Sequence, residues 1–258
     1  MTTGGRCTIA AIAVTVFALS DLVHEVIGHG LAVLLVPGVS AISLSSVALQ
    51  TTGESRLVAA AGSLANIIIG GAALARFHRQ RRFSPNMYFL WLFAAVNLLN
   101  GSGYPLYSAI LGSGDWAVVV KGLEPELAWR IGLGVMGAAA YVGAVVLSAR
   151  ELARAVENNS VSSAEIPGLV LLAYVVGSTL LVAASAFNPI GPRLILLSGV
   201  SSGFAAMAGL AAIPRLVENR VGRHEAGAGA VSFKRGWVVT GLVVAIVFTT
   251  VVGRGIQL

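Results

Sequence analysis

Four ionisable residues, Asp21, His24, Glu25 and His29, lie within nine positions of an otherwise apolar stretch that reads SDLVHEVIGHG at its centre. Ionisable groups inside a membrane-spanning helix are costly, so such positions point to function. Burying four of them together costs several kcal/mol unless they pair with one another or hold a cation. Imidazole nitrogens and carboxylate oxygens are ligands for a divalent metal, and Glu25 follows His24 as the general base follows the first histidine in zinc hydrolases. In the usual pattern the two histidines stand at i and i+4, about 40° apart around a helix. Here they stand at i and i+5, about 140° apart on a regular α-helix. A one-residue π-bulge restores convergence, and Gly28, beside His29, is the expected place for it to be absorbed. Asp21, three residues before His24, is a candidate acceptor for that histidine's ring N–H. The same four residues also suit a hydrogen-bonded structural network or a proton relay, so those alternatives stand beside metal binding.

Two histidines are too few for catalytic zinc, which normally takes three protein ligands and leaves one position for water. The candidate for the third is Asp115, in NLLNGSGYPLYSAILGSGDW. Gly101 to Pro105 read as an interruption of a span, and a broken helix can carry a carboxylate to a site at membrane depth. Otherwise Asp115 is a helix cap or an interfacial acid ahead of Trp116. Asn97 and Asn100 are candidates for hydrogen bonds to the site or to a substrate backbone, or for packing between helices. Cys7 is the only cysteine, which excludes a disulfide within the chain and a thiolate metal cluster.

The elements that must position these groups follow from composition. Of 258 residues, 56% are hydrophobic and 11% charged, against about 25% charged in a soluble domain. Mean hydropathy is +0.85. The expected fold is therefore an all-α, polytopic helical membrane protein. Seven spans are predicted, at 8 to 36, 57 to 75, 86 to 111, 129 to 149, 167 to 187, 192 to 214 and 236 to 253. The run that follows Arg6 reaches Val36, which is too long for a signal peptide and is expected to persist as a span. No soluble domain is left over. Arg215 to Arg235 reads as a loop, with a flexible linker at Ala226 to Ala230.

The net charge of +6 has an explanation in topology and does not call for nucleic acid. With a cytoplasmic N-terminus, twelve of the seventeen Lys and Arg residues fall in cytoplasmic loops, and HRQRR, residues 78 to 82, is the strongest anchor. Residues 37 to 54 alternate Ser and Thr with aliphatic residues, which predicts a β-hairpin or re-entrant element packed beside the first span. Glycines of the fourth span (Gly132, Gly134, Gly137, Gly143) and of the sixth (Gly199, Gly203) suit close helix packing. No internal repeat is evident, which weighs against a transporter built from two halves.

Three segments, in order along the chain, resemble the site-2 protease family of intramembrane zinc metallopeptidases, especially its minimal bacterial members. HEVIGHG is similar to that family's zinc helix, AAGSLANIIIGGAAL at residues 60 to 74 to its Ala-Gly-Pro-Leu-Ala-Asn span, and the segment ending in Asp115 to its aspartate-ligand segment. The resemblance covers roughly residues 15 to 120. The chain departs from the pattern in the extra residue between the histidines, in Ser63 where the family has proline, and in Trp116 where glycine follows the aspartate.

The resemblance implies zinc held by His24, His29 and Asp115, Glu25 as general base, and Asn66 near the substrate cleft. It implies a metallopeptidase-like membrane core over residues 1 to 120, followed by further transmembrane helices of the same domain over 121 to 258. It also implies a bacterial cell membrane as the setting, with membrane lipids and a transmembrane or membrane-associated protein substrate as partners. A metal-binding protein that does not cleave, and a proton-coupled transporter using the same residues, remain alternatives at this stage.

Overall fold

A computed structural model describes residues 1–80, 82–188, 195–222 and 231–258. The linker expected at Ala226 to Ala230 lies outside them. The first span is one continuous rod: α1 (Thr3–Leu22), an eight-residue π segment (Val23–Gly30) and one last α-turn, α2 (Leu31–Val33). The β-hairpin follows, with β1 (Ala41–Leu44) antiparallel to β2 (Leu49–Thr51). Next come α3 (Arg56–His78), α4 (Pro85–Leu111), the short α5 (Asp115–Val120) and α6 (Glu126–Glu157). The remainder holds α7 (Ile166–Ala186), a second π segment (Ile195–Ala205), α8 (Gly209–Val221), α9 (Arg235–Val247), a third π segment (Phe248–Val252) and β3 (Ile256–Gln257).

Among the described residues six helices are long and apolar enough to cross a membrane, where seven spans were expected. The difference is α4, which coincides with the expected third span but carries Asn97, Asn100 and Gly101-Ser102-Gly103 in its apolar run. Nor is α4 interrupted at Gly101 to Pro105 as expected: it runs through Pro105 to Leu111. The small residues there serve packing. A Cβ on Gly101 would lie 2.6 Å from the Ser63 carbonyl oxygen of α3, and one on Gly137 of α6 would lie 2.6 Å from the Leu106 nitrogen. Pro105 removes a single N–H from the helix ladder, and the Ser102 hydroxyl donates to the Leu98 carbonyl at 2.6 Å. Of the other expected packing glycines in the fourth span, Gly132 and Gly143 meet nothing within 4 Å.

One hydrophobic core joins helices from both halves of the chain. Phe17 of α1, Trp91 of α4, Leu152 of α6 and Leu169 of α7 are buried in the same cluster. The polar ends of its aromatics reach main-chain carbonyls: Trp91 Nε1 donates to Ser148 at 3.0 Å, and the Tyr88 hydroxyl to Leu169 at 2.7 Å.

Several basic residues collect at one end. The last turns of α3 and α6 meet there through His78, Glu151 and Arg154, and α8 joins through Arg220 and Glu157 at 3.4 Å. The starts of α1 and α9 meet at the same end, where the Lys234 N–H donates to the Thr8 hydroxyl. The β-hairpin stands at the far end of the first span. Its sheet has a third strand that the sequence reading did not anticipate: β3 pairs with β1, giving the order β2-β1-β3.

Gly28 of the π segment and Gly62 of α3 touch backbone to backbone, and a Cβ on Gly28 would lie 2.4 Å from the Gly62 Cα. Gly28 thus serves a close crossing between two elements. Gly28→Ala is expected to destabilise the protein by about 1–3 kcal/mol, because backbone on both sides of the contact must move. Gly71→Ala on α3, where nothing lies within 4 Å, is expected to be neutral or stabilising by up to about 1 kcal/mol. Thermal unfolding of both variants in detergent checks this; equal midpoints would overturn the assignment.

Candidate metal centre

The π segment resolves the spacing problem of HEVIGH. In a π-helix the main-chain bond links residues five apart, so His24 and His29 stack on one face instead of diverging. The wider turn extends over all of Val23–Gly30, more than the single bulge expected. Both rings then project across the crossing at Gly62. A Cβ on Gly62 would lie 2.6 Å from His24 Nε2 and 2.6 Å from His29 Nε2, so the missing side chain is the space these two nitrogens occupy.

The other ring nitrogens are committed. His29 Nδ1 stands 2.6 Å from the Val58 carbonyl oxygen, which can only accept, so Nδ1 carries the proton and Nε2 presents a lone pair. His24 Nδ1 lies 2.8 Å from Asn66 Oδ1. The Asn66 amide is oriented by its own donors, which reach the Ser20 carbonyl at 3.1 Å and Asn97 Oδ1 at 2.7 Å. Asn97 Nδ2 donates in turn to the Phe93 carbonyl at 2.8 Å. The chain from Phe93 through Asn97 and Asn66 to His24 therefore runs one way, and it leaves His24 Nε2 as an acceptor as well.

Asp115 arrives from α5. The break that frees it is Gly112-Ser113-Gly114, where Gly112 (φ 65°) and Gly114 (φ 85°) take left-handed backbone that other residues adopt only with strain. Arg130 of α6 holds the end of α4 by donating to the Ala109 carbonyl at 3.0 Å. Trp116 Nε1 donates to Ser63 Oγ at 3.1 Å, pinning α5 to α3. Asp115 Oδ2 then stands 3.0 Å from His24 Nε2 and 3.4 Å from His29 Nε2.

Three acceptors at these separations require positive charge among them, either protons on the imidazoles or a metal ion. In the first case burial of Asp115 opposes its ionisation, but its hydrogen bonds with His24 and His29 outweigh burial and hold the carboxyl below the usual carboxylate range. For the second, a tetrahedral ion with ligand bonds of 2.0–2.1 Å sets its ligand atoms about 3.3–3.4 Å apart. The two Asp115 separations lie within a few tenths of an ångström of that spacing. His24, Glu25 and His29 form an overlapping set, with ligand atoms all within 4.8 Å of one another. Glu25 is the weaker third ligand, because its Oε2 is taken by the Leu49 N–H of β2 at 2.6 Å, whereas Asp115 Oδ2 faces both nitrogens.

His24, Glu25 and His29 are buried, while the Asp115 side chain keeps 24% of its exposure and opens to water. A cavity of about 160 Å³ reaches the centre past Glu25, His29, Leu49 and Thr51. A larger one of about 430 Å³ extends from Asp115 between Leu106, Ile110 and Ser202. Tyr104 and Asp115 line both.

Three expected roles change. Asp21 is not the partner of His24: Asn66 holds that ring nitrogen, and Asp21 Oδ2 is buried with no hydrogen-bond partner. Asn66 is fully buried with both ends of its amide engaged, so it orients His24 and has no group left for a substrate. Asn97 supports the same chain. Asn100 takes no part in it, and its Oδ1 is buried without a partner. Gly62, Tyr104 and the Leu49 N–H went unnoticed as site components. Gly62 was legible in part, since it lies four residues before Asn66 on one face of a helix.

Comparison with protein-family models, with curated proteins and with solved structures finds no match. The functional reading therefore rests on the geometry.

Asn66→Leu is expected to destabilise the protein by roughly 1–3 kcal/mol, because it strands His24 Nδ1–H and the oxygens of Ser20 and Asn97 in a dry interior. Asn100→Leu removes no such bond and is expected to shift stability by less than about 0.5 kcal/mol. Chemical unfolding in detergent micelles separates the two, and equal losses would contradict the one-way chain.

Proposed function

We propose that this chain is an intramembrane zinc metallopeptidase, related to the site-2 protease family that residues 15 to 120 resemble. The observation that carries the reading is the convergence of His24 Nε2 and His29 Nε2 on Asp115 Oδ2, at 3.0 and 3.4 Å, with the Glu25 carboxylate adjacent. Those three residues would hold the ion, and the missing side chain of Gly62 would leave it room. Bound zinc supplies Lewis acidity toward a scissile carbonyl and lowers the pKa of a coordinated water.

Glu25 takes the proton of the attacking water and delivers it to the leaving amine. Its hydrogen bond from Leu49 N–H fixes one carboxylate oxygen and leaves the other for the water. The sheet order leaves β2 with an unpaired edge beside Glu25, so an extended segment of a membrane protein adds there as a strand and brings its carbonyl to the centre. The substrate is an unwound, apolar stretch, because the larger cavity offers it aliphatic side chains and serine hydroxyls. By the count of basic residues, the end carrying His78, Arg154 and Arg220 is cytoplasmic, as is the N-terminus, and the centre belongs to the opposite half.

Purified protein is expected to hold one zinc per chain. His29→Ala and Gly62→Ala are each expected to lose it, the first by deleting a ligand and the second by placing a Cβ against both Nε2 atoms. Glu25→Gln is expected to retain zinc while cleavage of a quenched fluorescent peptide library falls by about 10²–10⁴-fold. Metal analysis and turnover measured on the same preparations decide the matter. Zinc-free wild type, or unchanged turnover in Glu25→Gln, would overturn the reading.

A further inference from the structure

Tyr104 of α4 stacks on His24, with ring centroids 4.6 Å apart and planes 28° from parallel. A second ring, Tyr107, lies 6.1 Å away and limits its motion. Three other tyrosines of the chain spend their hydroxyls on main-chain carbonyls: Tyr88 on Leu169, Tyr141 on Ala206 and Tyr174 on Phe204. The Tyr104 hydroxyl makes no hydrogen bond among the described residues, and its half-buried side chain lines both cavities of the centre. A hydroxyl that no protein acceptor holds can donate to a ligand that enters those cavities. Tyr104 is also one of the residues shared by the cavity that holds Glu25 and the larger cavity beyond Asp115, so it stands at their junction.

We infer that Tyr104 is a catalytic residue whose hydroxyl donates a hydrogen bond to the oxyanion formed when water adds to the scissile carbonyl. The inference rests on the peptidase reading and extends it. In the addition step a bond forms between the water oxygen and the carbonyl carbon, and the carbonyl π pair moves onto its oxygen. Glu25 receives the proton that the water loses. In collapse the oxygen returns that pair, the C–N bond breaks, and the proton passes from Glu25 to the departing nitrogen. Tyr104 keeps its own proton throughout. Its donor is set in place before the charge appears, which is the arrangement that stabilises a developing oxyanion most strongly. The stacked His24 ring fixes the direction of the phenol, so little reorganisation accompanies the step.

The test uses Tyr104→Phe in full-length protein with its metal replaced by cobalt, and reads ligand binding from the visible absorption of the ion. Acetohydroxamate, whose carbonyl oxygen stands in for the oxyanion, is expected to bind the variant about 10- to 100-fold more weakly than wild type. Azide, which offers no such oxygen, is expected to bind both within a factor of two. Phenylalanine keeps the stack on His24, so a residue that merely supported the ring would leave both ligands unchanged, and that result would overturn the assignment. Equal weakening of both ligands would overturn it too, by showing a general disturbance of the centre. Wild type that takes up no cobalt would instead remove the metal reading beneath it.

Discussion

The close approach of the first span to α3 governs the rest of the structure. Gly28 and Gly62 meet without side chains, and this lets two imidazoles reach over α3 into space that any larger residue would fill. Every further support of the centre is referred to that contact. Asn66 and Val58 of α3 fix the two rings from below, and Ser63 of the same helix receives Trp116 and so sets the position of Asp115. One helix thus orients all three candidate ligands while supplying none. The arrangement resembles a jig: the groups with chemistry come from the first span and α5, and the groups with geometry come from α3.

The charged and helical parts of this design were legible in the sequence because each carries a strong local signal. Four ionisable residues in an apolar run, and an acid after Gly-Ser-Gly, stand out against a background almost free of charge. The i, i+5 spacing of the histidines pointed to a local π-bulge as the way to bring both to one ion, and the hairpin was visible as a short alternating stretch. The remainder depended on contacts between distant positions. Nothing near Asn66 says that its amide is used up by Ser20 and Asn97, and Asp21 looks like the natural partner of His24 until the ring is seen facing another helix. The glycine and proline cluster at Gly101 to Pro105 was misread for a related reason. Small residues break an isolated helix, but in a helix packed between two others they let its neighbours come close.

Ser63 and Trp116 show how two departures from a motif can be one feature. Each alone reads as a deviation from the family pattern proposed for residues 15 to 120. They are hydrogen-bonded to each other, so a serine at position 63 provides the acceptor that the indole at 116 needs. Proline offers no side-chain acceptor and glycine no donor, and neither residue of the family pair could make this link. The extra residue between the histidines is absorbed in the same neighbourhood by the π segment, whose glycine packs against the turn that holds Ser63.

The third strand of the sheet carries a consequence for assembly. Residue 43 pairs with residue 257, across nearly the whole chain. A pairing this remote forms late, because the intervening helices must first be made and docked. During synthesis the first span, hairpin, α3 and α5 all precede α9, so the ligand set can gather while the β1 edge is still bare. The strand that finishes the sheet follows α9 in the chain, so the sheet beside Glu25 is complete only once α9 has entered its place.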